Sequence, residues 1–141
     1  MKNIKGLFAV VLLTLSAAGT AWASPKVPAI PRTLSNARFV YVAAYDGDQF
    51  DPRLLPDDRE AISRVQDTIQ KWGKLIVVYR PEDADVILMV QSRPSEDVLA
   101  LYDAHGSRSV FLWRVMGRGG LQQGEAPLVS QFEKAWNKIQ N

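Results

Sequence analysis

The stretch Ala37 to Tyr45 (ARFVYVAAY) limits what this chain can fold into more than any other. Read as a strand, it puts Phe39, Tyr41 and Ala43 on one face and Val40, Val42 and Ala44 on the other. Both faces are apolar, the pattern of a strand set centrally in a sheet. Asp57 to Trp72 follows as a helix, with Ile62, Val65, Ile69 and Trp72 forming one apolar stripe. Asp57 and Glu60 have the spacing of a capping box, and Gly73 offers a left-handed stop. Glu60 with Arg64 and Asp67 with Lys71 are acid-first i,i+4 pairs on the wet side. Lys74 to Tyr79 (KLIVVY) is a second strand, and a strand–helix–strand run predicts a right-handed crossover between parallel neighbours.

Arg80 to Ala84 turns the chain into a third strand, Asp85 to Gln91. Val98 to Tyr102 and Ser109 to Val115 read as a fourth and fifth strand, joined as a hairpin through Asp103-Ala104-His105-Gly106. After a glycine-rich connector over 116–125, Pro127 opens a last helix to Ile139, with Leu128, Phe132, Ala135, Trp136 and Ile139 inward. The expected fold is α+β: a two-layer sandwich in the order strand-helix-strand-strand-strand-strand-helix, a mixed sheet with both helices on one face. The other face is then left open. A proline-rich strap, a second copy of the chain or a partner are the three candidate covers.

Domain organisation follows from the ends of these elements. Residues 1–23 combine Lys2 and Lys5, an uncharged apolar run from Leu7 to Ala18, and Ala21-Trp22-Ala23, which predicts a signal peptide cleaved between Ala23 and Ser24. The run is short of the roughly 20 residues a membrane span needs. Residues 24–36, with Pro25, Pro28 and Pro31, read as an extended tether or a strap lying along the domain, and 37–141 as a single domain. Lys2 and Lys5 are the only charges in 1–23, so cleavage turns a chain of net charge +2 into one with 15 bases against 15 acids. A balanced domain has no field for polyanions, so nucleic acid is not an expected partner. The sequence has no Cys and one His, which excludes a disulfide framework, a thiol nucleophile and a Cys-ligated metal.

The segments WGKLIVVYRPEDADVILMV (72–90) and LALYDAHGSRSVFLWRV (99–115) give the chain a resemblance to known proteins. Ala84-Asp85 at the third strand, Asp103 and Gly106 at the hairpin, and Leu112-Trp113 beyond it carry the likeness. Over about residues 37–139 the chain resembles small uncharacterised exported bacterial proteins. More distantly it resembles the N-terminal domain of the Tol-Pal translocation protein, the curli-secretion lipoprotein and the lipoprotein activators of peptidoglycan synthases. The resemblance implies a role in binding other envelope proteins and supplies no catalytic residue. The anchoring Cys of the lipoprotein members is missing here, so no lipid anchor is expected.

Several residues could carry chemistry. Asp46, Asp48 and Asp51 follow the first strand, where α/β sheets commonly place ligands, and three oxygen donors suit Ca²⁺, although the spacing misses the EF-hand pattern. The same acids with Asp57 and Asp58 suggest a carboxylate pair for glycoside hydrolysis, with Asp57 better used as a cap. His105 near Ser107 and Ser109 lacks an orienting acid and a nucleophile elbow. Gly117-Arg118-Gly119-Gly120 lacks the Lys of a phosphate loop and reads as a connector, or as a contact loop in which Arg114 and Arg118 meet an acidic surface. Trp72 and Trp136 read as core, whereas Trp113 fits either the core or, beside Phe111, an interface on the open face.

These readings converge on an exported protein, periplasmic or secreted, with no cofactor, no metal site and no catalytic residue. It is expected to bind another envelope component, in the first place a protein, through the open sheet face or a strand edge, or to self-associate. The alternative is a small hydrolase or carbohydrate-acting enzyme using the acidic loop.

Overall fold

The computed structural model describes residues 27–121 and 126–141, so the signal sequence and Ala23–Ser24 junction expected from the sequence lie outside the described residues. Among the described residues seven main elements follow one another: β1 (Phe39–Ala44), α1 (Pro56–Trp72), β2 (Ile76–Val78), β3 (Val86–Ser92), β4 (Asp97–Asp103), β5 (Trp113–Gly117) and α2 (Pro127–Gln140). Short 3-10 turns stand at Arg32–Leu34 and Pro81–Asp83. The strands form one sheet in the order β2-β1-β3-β4-β5. β1 runs parallel to β2 and β3, and the β3-β4-β5 part is antiparallel. The fold is the α+β two-layer sandwich with a mixed sheet that the pattern predicts. β1, apolar on both faces, lies between two neighbours.

Strand parity sorts the side chains. Val40, Val42, Val86, Leu88, Val90, Leu99, Leu101, Trp113 and Val115 face the helices and are buried against Ile62, Val65 and Ile69 of α1 and Val129, Phe132 and Trp136 of α2. Phe132 is the centre of this layer. Its ring meets Trp113 at 5.6 Å, Trp136 at 5.6 Å and Trp72 at 6.1 Å between centroids. Tilted and edge-on pairs of this kind add about 0.5–1.5 kcal/mol each beyond area burial. Truncating Phe132 to Ala costs about 3–5 kcal/mol, because three rings would face the void. No helix among the described residues is long and apolar enough to cross a membrane.

The structure corrects two local expectations. Asp57 does not cap α1: Pro56 occupies the first turn, Leu55 is the cap residue, and Asp57 is exposed. Proline's fixed φ and missing N–H suit the first helical position, which starts the helix one residue earlier and moves both acids inside it. Gly73 does end the helix, at φ 78° with its N–H on the Ile69 carbonyl at 3.0 Å. β5 begins at Trp113 and not at Ser109, since the Asp103 turn is followed by an irregular stretch over 107–112 that leaves Val110 and Phe111 outside. The described part of the segment before β1 lies along the domain as a strap: Ile30 and Leu34 enter the helix-side core, and the Pro28 carbonyl accepts from Trp113 Nε1 at 2.7 Å. That strap therefore belongs to the helix side, while on the second sheet face Tyr41, Ala43, Ala84, Ile87, Ala100 and Tyr102 form a smaller buried cluster of their own.

Candidate functional site

The second face of the sheet carries a cleft whose origin is the register of three strands. Tyr41 pairs with Ile87, and Ile87 with Tyr102, making one row across β1, β3 and β4. The next row is Ala43, Met89 and Ala100. Ala43 beside a flexible Met89 leaves a hollow where a larger side chain would have filled the face. Tyr45, two residues beyond Ala43, closes the far side and reaches back over the hollow. Its hydroxyl lies 3.1 Å from that of Tyr102, with the rings edge-on at 6.5 Å and 77°. The result is a cleft of about 320 Å³ with Ala43, Ile87 and Met89 as floor and Asp48, Pro81 and Arg108 on its rim.

The electrostatics are those of a neutral, hydrogen-bonding site. Tyr41 and Tyr102 are buried, and Tyr45 is about two-fifths exposed (40%). Burial raises the Tyr45 phenol well above its usual range, and the bond to Tyr102 adds to it. Tyr41 is raised as well, first by burial and then by the Asp48 carboxylate, whose Oδ2 accepts from its hydroxyl at 3.4 Å. Both phenols therefore stay protonated and can donate at neutral pH. Asp48 uses its other oxygen to accept the Phe50 N–H at 2.9 Å, which fixes the carboxylate in the loop. Arg108 is exposed and forms no hydrogen bond or ion pair among the described residues. The site can bind and orient a ligand, but it presents no base–nucleophile pair.

The residues singled out in the sequence are scattered by the fold. The acidic loop does not converge: Asp46 pairs with Arg93 at 2.8 Å, Asp48 faces Tyr41, and Asp51 binds Arg53. Among the described residues no group of three His, Cys, Asp or Glu could hold a metal ion. Asp58 is 1% exposed, and its oxygens are held by the Ser92 N–H and the Arg93 guanidinium rather than offered to a substrate. The His105 side chain forms no hydrogen bond among the described residues, its backbone N–H is taken by Asp103, and Ser107 and Ser109 bond to each other at 2.6 Å. Trp113 is 1% exposed and lies in the helix-side core, so it is not on the open face. Strand parity places its neighbour Arg114 there instead, with the guanidinium 4.8 Å from the Phe111 ring centre. Arg118 is exposed beyond β5. Gly120 packs so closely on Leu128 that a Cβ would stand 2.7 Å from Leu128 Cδ1, which makes it a close-approach residue of the connector.

Tyr41, Tyr45 and Tyr102 are the site residues that sequence reasoning passed over. The alternation Tyr41-x-Ala43-x-Tyr45 already marks two rings flanking a small residue on one strand face. Tyr102 joins them only through the β3–β4 register, which no local pattern encodes.

No protein-family model and no curated protein matches this chain. Among solved structures, the PelC dodecamer from Paraburkholderia phytofirmans aligns over 82% of this chain and 95% of that one, at 17% identity and a TM-score of 0.43. A single-substitution variant of that dodecamer aligns over 82% and 96%, at 17% identity and a TM-score of 0.40. The solution structure of uncharacterized lipoprotein B from Nitrosomonas europaea aligns over 83% and 80%, at 18% identity and a TM-score of 0.34. Likeness at this level bears on neither the ligand nor the assembly of the present chain.

Proposed function

We propose that this chain is an exported, non-catalytic binding module that recognises another component of the cell envelope through the second face of its sheet. One observation carries the reading. The helix-side face is filled, whereas the opposite face keeps a formed cleft between exposed apolar side chains. Phe39 is 37% and its register partner Ile76 56% exposed at one end of that face, and Met116 is 46% exposed at the other. Apolar surface on both flanks of a cleft is a feature of interaction sites. Asp46 and Asp58 are tied to Arg93, Asp48 to the Phe50 N–H and Asp51 to Arg53, which speaks for binding over the hydrolase alternative.

The test is site-specific photocrosslinking in cells. Crosslinkers at Ile76 and Met116 probe the face, and crosslinkers at Ser63 and Gln70 on the outer side of α1 serve as controls. Adducts formed from the face positions alone support the reading. Equal yields from all four positions, or none, overturn it. An adduct at twice the mass of the chain assigns the face to self-association instead.

A further inference from the structure

The chemistry of the cleft goes one step further, and the step rests on the reading of this face as the binding surface. We infer that the tyrosine-walled cleft is a saccharide subsite that takes an uncharged pyranose ring of an envelope glycan. A pyranose has an apolar C–H face and a rim of hydroxyls that both donate and accept. The cleft has the matching halves: an apolar floor at Ala43 and Met89, and hydroxyls of Tyr45 and Tyr102 above it with Asp48 and Arg108 at the edge. Its volume of about 320 Å³ falls in the range of roughly 300–1,000 Å³ of small-ligand sites.

Charge and topology separate this class from the others. Asp48 and Arg108 stand on the same rim with opposite signs and no bond between them, so the site favours neither a phosphate nor a cation. An acyl chain or a bare aromatic ring would strip water from both charges and return no hydrogen bond, a penalty that polar rims impose on apolar ligands. A peptide added as an extra strand must pair with a sheet edge. The edges here are β2 and β5, whereas the cleft lies over β1, β3 and β4. The Asp48 Oδ2 contact with Tyr41, at 3.4 Å, is long enough for a ligand hydroxyl to replace it at little cost.

The experiment is a titration of the full mature chain with cellobiose, maltose and N,N′-diacetylchitobiose. It is followed by NMR of the Met89 methyl and the tyrosine rings, with the buried Trp113 indole as the unmoved reference. At least one disaccharide is expected to shift Met89 and Tyr45 saturably. Tyr45→Ala and Asp48→Asn are each expected to weaken that binding about tenfold or more, as loss of a charged or aromatic contact does. Arg108→Ala, which removes no internal bond, provides a variant whose folding is not at issue. The proposal is overturned if no disaccharide saturates, if free tyrosine or inorganic phosphate saturates the cleft in their place, or if all three variants bind as the parent does. Should the sugars fail while Ile76 and Met116 still crosslink, the ligand class falls and the binding face stands. Should both fail, the face itself falls.

Discussion

Arg93 grips Asp58 with one nitrogen and Asp46 with the other. Its Nη1 donates to both Asp58 oxygens at 2.9 Å, and its Nη2 reaches Asp46 Oδ2 at 2.8 Å. Asp58 Oδ1 also accepts the Ser92 N–H at 2.8 Å, while Asp97 accepts the Ser92 hydroxyl at 2.9 Å and the Leu121 N–H at 2.8 Å. One guanidinium thus ties the first turn of α1, the end of β3 and the acidic loop into a single joint. Of the acids that look like a ligand cluster in sequence, Asp46 is a fitting of that joint, while Asp48 and Asp51 bond elsewhere. This is why the loop bearing Asp48 is held in place over the cleft.

Asp58→Ala is expected to destabilise the fold by about 2–4 kcal/mol. It leaves the buried Ser92 N–H without its acceptor and the guanidinium half-partnered. Asp58→Asn keeps an acceptor for Ser92 and loses less. Asp46→Ala, at an exposed pair, costs about 0–1 kcal/mol. Urea unfolding midpoints with unchanged slope measure all three. A midpoint for Asp58→Ala no lower than that for Asp46→Ala means that the joint does not hold the two layers together.

Acid sensitivity is expected at Asp85, which precedes β3 and accepts the N–H groups of Arg38 at 2.8 Å and Phe39 at 3.0 Å. The bond from Arg38, followed in part by that from Phe39, holds this carboxyl below the usual range. A depressed folded value means that the ionised form is favoured in the native state. The stabilisation is therefore complete above the unfolded value of about 3.9 and fades as pH falls through the lower folded one. The stability difference between the parent and Asp85→Asn should be constant from neutral pH down to about 5 and shrink below about 4. A difference that does not change with pH removes the electrostatic account.

How far the sequence carries depends on the range of the cause. β1, α1, α2 and the Gly73 stop are set by periodicity and local backbone preference, and they are found where the pattern puts them. The start of β5 was hidden because Val110 and Phe111 prolong the apolar alternation. What decides it is the pairing of Leu101 with Trp113, a contact between strands. The same distance effect governs Trp113 itself, whose partners Phe132 and Pro28 lie elsewhere in the chain, the latter 85 residues away. The cleft is half legible: Tyr41, Ala43 and Tyr45 share a face by parity, while Met89 and Tyr102 are added by register alone.

Trp113→Phe separates the packing of that ring from its bond. The aromatic contact with Phe132 survives, while the Nε1–H to Pro28 carbonyl bond, 2.7 Å long, is lost. The expected cost is about 1–2 kcal/mol, with Trp113→Ala nearer 3–5 kcal/mol and the exposed Phe111→Ala within about 0.5 kcal/mol. Hydrogen exchange should quicken around Ala29 and Ile30, where the strap is released, and stay unchanged in α1. Unaltered exchange over residues 29–30 would show that Ile30 and Leu34 alone hold the strap.

The tyrosine wall gives the protein an alkaline limit. Burial, reinforced by the Tyr102 hydroxyl, raises the Tyr45 phenol, and burial with the Asp48 charge raises Tyr41. A raised folded value favours the neutral phenol in the native state. Its stabilising effect is complete below the unfolded value of about 10 and is lost as pH climbs toward the folded one. Phenolate absorbance should therefore rise in two stages, with the late stage coinciding with loss of the tyrosine near-ultraviolet dichroism. Tyr45→Phe should shrink the late stage, move the alkaline unfolding midpoint up and leave the neutral-pH fold intact, since the ring stays and only the ionisable hydroxyl goes. One ordinary phenolate step in the parent, completed while the dichroism persists, would show that the hydroxyls over the cleft are open to solvent and not bonded to one another.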